Sequence, residues 1–276
     1  MSKEMNMRPD GLIWGKWKVD DRFYVLTNQW ENFCYLLIGD EKALLLDAGY
    51  EWDGDLRAVV EEITDLPVMV VLTHGHIDHA GQIYWWDECW CGEGAEHDYE
   101  ITVDPEQYAS WKSKLGENFV WHILEDGEVI DIGGNEFEVI RVKAHAKSGL
   151  MLIDRKRRIL FSGDQIDPSQ VLLFCNDEIT TKEAIEIMLS DTARLMERTD
   201  EFDCIYPAHN GVAISNDYIR DYYILAKQLS EGTATIQPTP GGFKWPNECI
   251  EGHFIEKDWP VYRAQYGLAS AIMKEK

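Results

Sequence analysis

The stretch Val70-Val-Leu-Thr-His-Gly-His-Ile-Asp-His-Ala-Gly81 constrains this chain more than any other. The apolar run Val68–Leu72 predicts a fully buried strand, because β-branched and apolar residues without alternation suit a sheet covered on both faces. That strand delivers His74, His76, Asp78 and His79 within six residues. An imidazole or carboxylate buried without a partner costs several kcal/mol, so four of them cannot all face an apolar core uncompensated. A divalent cation supplies the compensation, and imidazole with carboxylate oxygen is a ligand set that zinc, iron or manganese accepts. Gly75 lets the backbone turn tightly between two imidazoles. The competing account, a solvated loop or a surface histidine tract, suits a lone histidine. Spacing, strand and glycine together argue against it.

A chain of 276 residues is long enough to bury a full core around such a site. The formal net charge of −24 argues against nucleic acid or an anionic membrane as partner, since either needs a positive face. A solvated surface explains the acidity. The first ten residues contain no apolar stretch of the signal-peptide kind, and no run approaches the length of a transmembrane helix. The expectation is therefore a cytoplasmic protein with a small-molecule substrate and no nucleic-acid or membrane partner, homo-oligomerisation being left open. Six cysteines in a chain this size are not a disulfide framework. Cys89-Trp-Cys91 is either a metal-binding pair or, in the simpler account, two packed thiols.

Strands are expected at Phe23–Leu26, Phe33–Ile38 and Ala43–Leu46, with Gly39-Asp40 as the turn between the last two. Asp47 closes the third, either as a cap on the next turn or as part of a site. Between Asp53 and Thr64, Leu56, Val59, Val60 and Ile63 share one helical face. The aromatic stretch Ile83–Trp90 reads as helical residues packed on the sheet, with Trp85, Trp86 or Trp90 as an alternative pocket wall. A helix starts at Asp104-Pro105-Glu106, and short strands follow at 129–130 and 137–142, the second reaching His145. A hairpin at 150–154 and 158–161 ends in Ser162-Gly163-Asp164, a second carboxylate at the exit of an apolar strand. Thr180 and Glu183 form a capping box for the next helix. One more short strand leads to Pro207-Ala-His209, and a closing helix spans 215–229. Beyond Thr233 the composition shifts, which divides the chain into residues 1–232 and an extension, 233–276, ending in a short helix and serving as lid, clasp or dimer contact.

Thr73-His-Gly-His-Ile-Asp-His79 resembles the signature of the metallo-β-lactamase superfamily of binuclear metal hydrolases. The resemblance covers about Arg22 to Gly211. It implies a four-layer αββα sandwich of two mixed sheets flanked by helices, with two divalent ions, zinc first and manganese or iron as alternatives. It further implies that His74, His76 and His145 hold one ion, that Asp78, His79 and His209 hold the other, and that Asp164 bridges them. Asp47 would stand behind the metal-binding loop. Two motifs depart from the family pattern: Lys143-Ala144-His145 stands where Pro-Gly-His is usual, and Ala208 and Asn210 replace the glycines around His209. The first departure puts loop shape and substrate preference in doubt. His97, His122 and His253 match no motif.

Two ions ~3.5–4 Å apart can share a water and lower its pKa from ~15.7 towards ~7, giving hydroxide at neutral pH. The expected activity is cleavage of an ester-like bond, thioester, lactone or carboxylic ester, by that hydroxide, with Asp78 orienting it as the resemblance implies. Lys147, beside His145, is a candidate for holding a substrate carboxylate, as are Trp85 and Trp86 for lining the pocket. The alternatives are an iron-dependent oxidoreductase of the same fold, persulfide-dioxygenase-like, and a phosphodiesterase. A binding protein that kept the fold and lost turnover also stays open.

Overall fold

The computed structural model describes residues 4–7, 13–28, 32–239 and 261–274. Eight strands lie side by side in chain order as a first mixed sheet: β1 (Glu4–Met7), β2 (Ile13–Asp20), β3 (Phe23–Thr27), β4 (Phe33–Ile38), β5 (Ala43–Leu46), β6 (Val68–Val71), β7 (Glu88–Cys91) and β8 (Val120–Ile123). Pairing is antiparallel up to β5 and parallel from β5 onward. The second half supplies β9 (Val129–Asp131), β10 (Glu136–Arg141), β11 (Leu150–Asp154), β12 (Ile159–Gly163), β13 (Val171–Leu172), β14 (Cys204–Pro207) and β15 (Ile214–Ser215). All of these except β13 form a second mixed sheet in the order β15-β14-β12-β11-β10-β9.

Side-chain alternation decides the layering, because successive residues of a strand point to opposite faces. Leu44, Leu46, Met69 and Val71 face Phe137, Val139, Leu152 and Phe161 of the second sheet across a shared core. Their neighbours Ala43, Leu45, Val70 and Leu72 face outward onto α1 (Leu56–Glu61) and its companions. Those companions are α2 (Ile77–Ala80), α3 (Ala95–Ile101) and α4 (Pro105–Leu115), where Trp111 stacks on Tyr99 with ring centroids 3.8 Å apart. The far face of the second sheet is covered by α5 (Thr181–Met196) and α6 (Asp217–Ser230). Each fully buried Leu or Phe in these cores contributes roughly 1.5–3 kcal/mol of transfer free energy, so the three apolar interfaces hold the layers together. The result is the expected αββα sandwich. The capping box at Thr180 forms before α5, and the helix start at Asp104 carries a capping box of its own before α4.

Three features differ from expectation. Ile83–Trp90 is not helical: a single 3-10 turn at Ile83–Trp85 gives way to β7, because Cys89 and Cys91 on one face of the strand enter the first outer core. The C-terminal segment is not a helix either. It forms a hairpin, β17 (Tyr262–Tyr266) and β18 (Ala269–Met273), turned at Gly267 with φ +54°. Together with β16 (Ile236–Pro238) and β13 it makes a third, four-stranded sheet in the order β13-β18-β17-β16, packed on α6 through Ala264, Ala271 and Met273. The first sheet also extends beyond Arg22 to include β1 and β2. His253 and Cys249 lie outside the described residues. Among the described residues, no helix is long and apolar enough to cross a membrane.

Candidate metal centre

Every side chain of the cluster follows the end of a strand or stands in the short helix α2, which carries Asp78 and His79. β6 stops at Val71, and the chain turns through Thr73-His-Gly-His76 into α2, whose N-cap is His76. Gly75 is required there because a Cβ would lie 1.9 Å from the carbonyl oxygen of Ala95. His145 follows β10, Asp164 follows β12, and His209 follows β14. Sheets fix these strand ends, so the side chains meet without relying on loop order.

They meet as two groups sharing a carboxylate. His74 Nε2 and His145 Nε2 stand 2.9 and 3.2 Å from His76 Nδ1. His79 Nε2 and His209 Nε2 stand 3.5 and 3.0 Å from Asp78 Oδ2. Asp164 lies between: its Oδ1 is 3.4 Å from both His79 Nε2 and His209 Nε2, while its Oδ2 is 3.5 Å from His145 Nε2. Donor atoms around a tetrahedral zinc with bonds of ~2.0–2.1 Å stand ~3.4 Å apart, so these spacings suit cation ligands. The donor atoms of His74, His76 and His145, and those of Asp78, His79 and His209, each lie within 4.8 Å of one another.

The orphaned atoms make the same point. The buried His79 Nε2, His209 Nε2 and Asp164 Oδ1 make no well-aligned hydrogen bond among the described residues and face only one another and the Asp78 carboxylate, at 3.0–3.5 Å. Buried polar groups without partners are costly, and a cation among them removes that cost. Electrostatics separate the two groups. Burial and the neighbouring imidazoles hold His74 and His76 well below the ordinary imidazole pKa, and burial lowers His145 as well, which leaves neutral nitrogen donors. Burial also pulls on His79, but the carboxylates of Asp78, Asp164 and Asp47 overcome it and hold the ring well above its ordinary value. His209 is likewise raised, to about 9, because Asp164 and Asp78 outweigh its burial. Burial works against the charge on Asp78 and Asp164, yet the facing imidazoles keep both carboxyls below the usual range. The residues therefore fit a divalent cation centre.

Supporting side chains fix the rings. Asp47 adopts φ 64°, and its carboxylate accepts hydrogen bonds from Thr73 N (2.7 Å) and Thr73 Oγ1 (2.8 Å) and faces His79 Nδ1 at 3.0 Å. His145 Nδ1 faces the carbonyl oxygen of Leu172, in β13, at 3.0 Å. Asn32, which sequence reasoning missed, donates from Nδ2 to the carbonyl oxygen of Asp78 at 2.8 Å. Asp167 was also missed. Its carboxylate accepts from Asn210, the neighbour of His209, at 2.9 and 3.0 Å. Neither stands in a recognisable motif, and only tertiary proximity reveals them. Of the remaining candidates, Lys147 pairs with Glu178, Trp85 donates to Gln82 Oε1 at 3.2 Å, and Trp86 packs on the first outer core. Trp90 stacks on His122, and Cys89 and Cys91 are both buried in that same core.

Comparison with known proteins gives a consistent result. A family model described as the metallo-beta-lactamase superfamily matches residues 28–174, a span that contains six of the seven clustered side chains and leaves out His209. The chain is 27% identical over 188 residues to the human protein named acyl-coenzyme A thioesterase MBLAC2, covering 57% of this chain and 64% of that protein. It is 27% identical over 140 residues to hydroxyacylglutathione hydrolase GloC of Haemophilus influenzae, covering 48% of this chain and 65% of that one. The chain thus spans less than two thirds of the length of either relative. Among solved structures, a metallo-beta-lactamase from Pontibacter korlensis superposes with a TM-score of 0.58 at 18% identity, covering 78% of this chain and 99% of that chain. That likeness concerns the fold.

Proposed function

The chain belongs to the metallo-beta-lactamase superfamily, and from that premise we propose that it is a metal-dependent hydrolase that cleaves a thioester or related ester bond of a small molecule. The observation that carries the proposal is the carboxylate of Asp164, with one oxygen turned to each of two ligand groups. His74, His76 and His145 would hold one cation, and Asp78, His79 and His209 the other. When bound, the cations supply Lewis acidity at the scissile carbonyl and a water acidified towards neutrality. The chain's own residues do the rest. Asp78, held at its backbone by Asn32, would accept a hydrogen bond from the O–H of the attacking water and so orient it. Asp47 fixes the His79 ring through Nδ1, and the Leu172 carbonyl fixes His145 through Nδ1, so that each presents Nε2 inward. Thioesters come first among candidate bonds because the relatives' names include a thioesterase and an acylglutathione hydrolase.

The test uses full-length protein stripped of metal by chelation and reloaded with zinc or manganese. Acyl thioesters, lactones, carboxylic esters and phosphodiesters are then assayed side by side. Metal-restored hydrolysis of the thioester is the expected outcome. Preferential phosphodiester cleavage would replace the substrate class, and oxygen consumption by a one-iron protein without hydrolysis would overturn the reading.

A further inference from the structure

One buried carboxylate beside the cluster has no part in the chemistry above. Asp98, on α3, is wholly buried, and its Oδ2 accepts hydrogen bonds from both the backbone N–H (2.8 Å) and the hydroxyl of Ser148. The Ser148 hydroxyl oxygen in turn accepts the N–H of Gly75 at 3.0 Å. Gly75 lies between His74 and His76, and Ser148 lies three residues after His145. One hydroxyl therefore ties together the two loops that carry all three members of the His74, His76 and His145 group.

The tie is rigid on its other sides as well. The Arg141 guanidinium donates to the carbonyl oxygens of Gly149 at 3.2 Å and Lys147 at 3.4 Å, the two residues flanking Ser148. The Ser148 carbonyl packs so closely on Gly92 that a Cβ there would lie 2.0 Å away. The other ligand group is braced elsewhere: by Asp47 at His79, by Asn32 at Asp78, and by Asp167 through Asn210 beside His209. The Asp98–Ser148 contact thus serves one ligand group and leaves the other to separate supports.

We propose that Asp98 and Ser148 are positioning residues for the first cation only, setting the separation between the His74–His76 loop and the His145 loop. This rests on the two-cation reading given above. Groups that orient metal ligands from behind typically change metal affinity by about 10–100-fold when removed, and here the loss should fall on a single binding step.

The experiment titrates metal-free, full-length protein with cobalt(II) and with zinc, following heat and the cobalt d–d absorption; the melting temperature of the metal-free protein reports folding. Unmodified protein is expected to take up two equivalents in two steps. In Ser148→Ala one step weakens by about 10–100-fold, its cobalt spectrum changes, and the other step stays as it was. Should Ser148→Ala not fold, Asp98→Ala weakens the same step. Asp98→Asn, which keeps an oxygen to accept both bonds, restores it. Two undisturbed steps in a folded Ser148→Ala or Asp98→Ala protein, or equal weakening of both steps, would overturn the inference and leave the two-cation reading intact. Uptake of fewer than two equivalents by the unmodified protein would sink that reading and this inference with it.

Discussion

Replacing Asp47 with alanine tests how strongly the strand end behind the histidine loop is built. The carboxylate meets three polar atoms: Thr73 N at 2.7 Å, Thr73 Oγ1 at 2.8 Å and His79 Nδ1 at 3.0 Å. In Asp47→Ala the Thr73 hydroxyl can turn to the imidazole nitrogens already 3.2 and 3.4 Å away, on His74 and His79. The Thr73 N–H has no such recourse, and His79 is fully buried. Leaving a buried donor unsatisfied costs roughly 1–3 kcal/mol, so the Thr73 N–H alone gives a destabilisation of about 1–3 kcal/mol. Against a typical total of ~5–15 kcal/mol this is a large fraction of the whole. Removing the aspartate does not relieve the backbone, because alanine is no more at ease at φ 64°. Urea unfolding of the metal-free protein, monitored by tryptophan fluorescence, gives the difference directly. A loss below about 0.5 kcal/mol, the range of ordinary surface substitutions, would refute the reasoning.

Gly75→Ala should abolish metal uptake or folding, since the new Cβ meets backbone 1.9 Å away at Ala95 rather than a movable side chain. Metal content and melting temperature of the purified variant check this, and wild-type values in both would contradict it. Asp191→Asn should stabilise the protein at pH 8 but not near pH 4. Asp191, on α5, is only 7% exposed, and burial pushes its carboxyl up to about 7 despite the nearby charges of Arg194 and Lys143. Between the unfolded value of ~3.9 and the folded value the native state binds the extra proton, so its contribution falls as pH rises through that window. By pH 8 the penalty is of the order of 2–4 kcal/mol, and asparagine removes it. Thermal melts of both proteins across this range supply the comparison, and a difference independent of pH would contradict the assignment.

What could be read from the sequence, and what could not, follows from the range of the interactions. β6 and the ends of β5 and β12 were legible because a buried strand closing on a polar residue is a local pattern. The helix start at Asp104 and the capping box at Thr180 are local too, and both formed. Ile83–Trp90 misled because its aromatic residues carry no clear period. The burial of Cys89 and Cys91 against distant helices decides that segment as strand. At the C-terminus, Tyr266-Gly267 was the turn signal between β17 and β18, but its partner Asp221 lies far back in α6, where its carboxylate accepts the Leu268 N–H at 2.9 Å. Within the site, the seven clustered side chains stand in or near motifs, whereas Asn32, Asp98, Ser148 and Asp167 do not. Their partners lie at sequence separations of 46, 73 and 50 residues for Asn32–Asp78, Gly75–Ser148 and Ser148–Asp98, and such contacts leave no local trace.

The central claim is that two cations share the carboxylate of Asp164. Anomalous diffraction at the zinc edge, from crystals of the zinc-loaded protein, tests it most directly. The account predicts two peaks ~3.5–4 Å apart, one within bonding distance of His74, His76 and His145, the other of Asp78, His79 and His209, with Asp164 touching both. A single peak, or zinc bound away from Asp164, would contradict it.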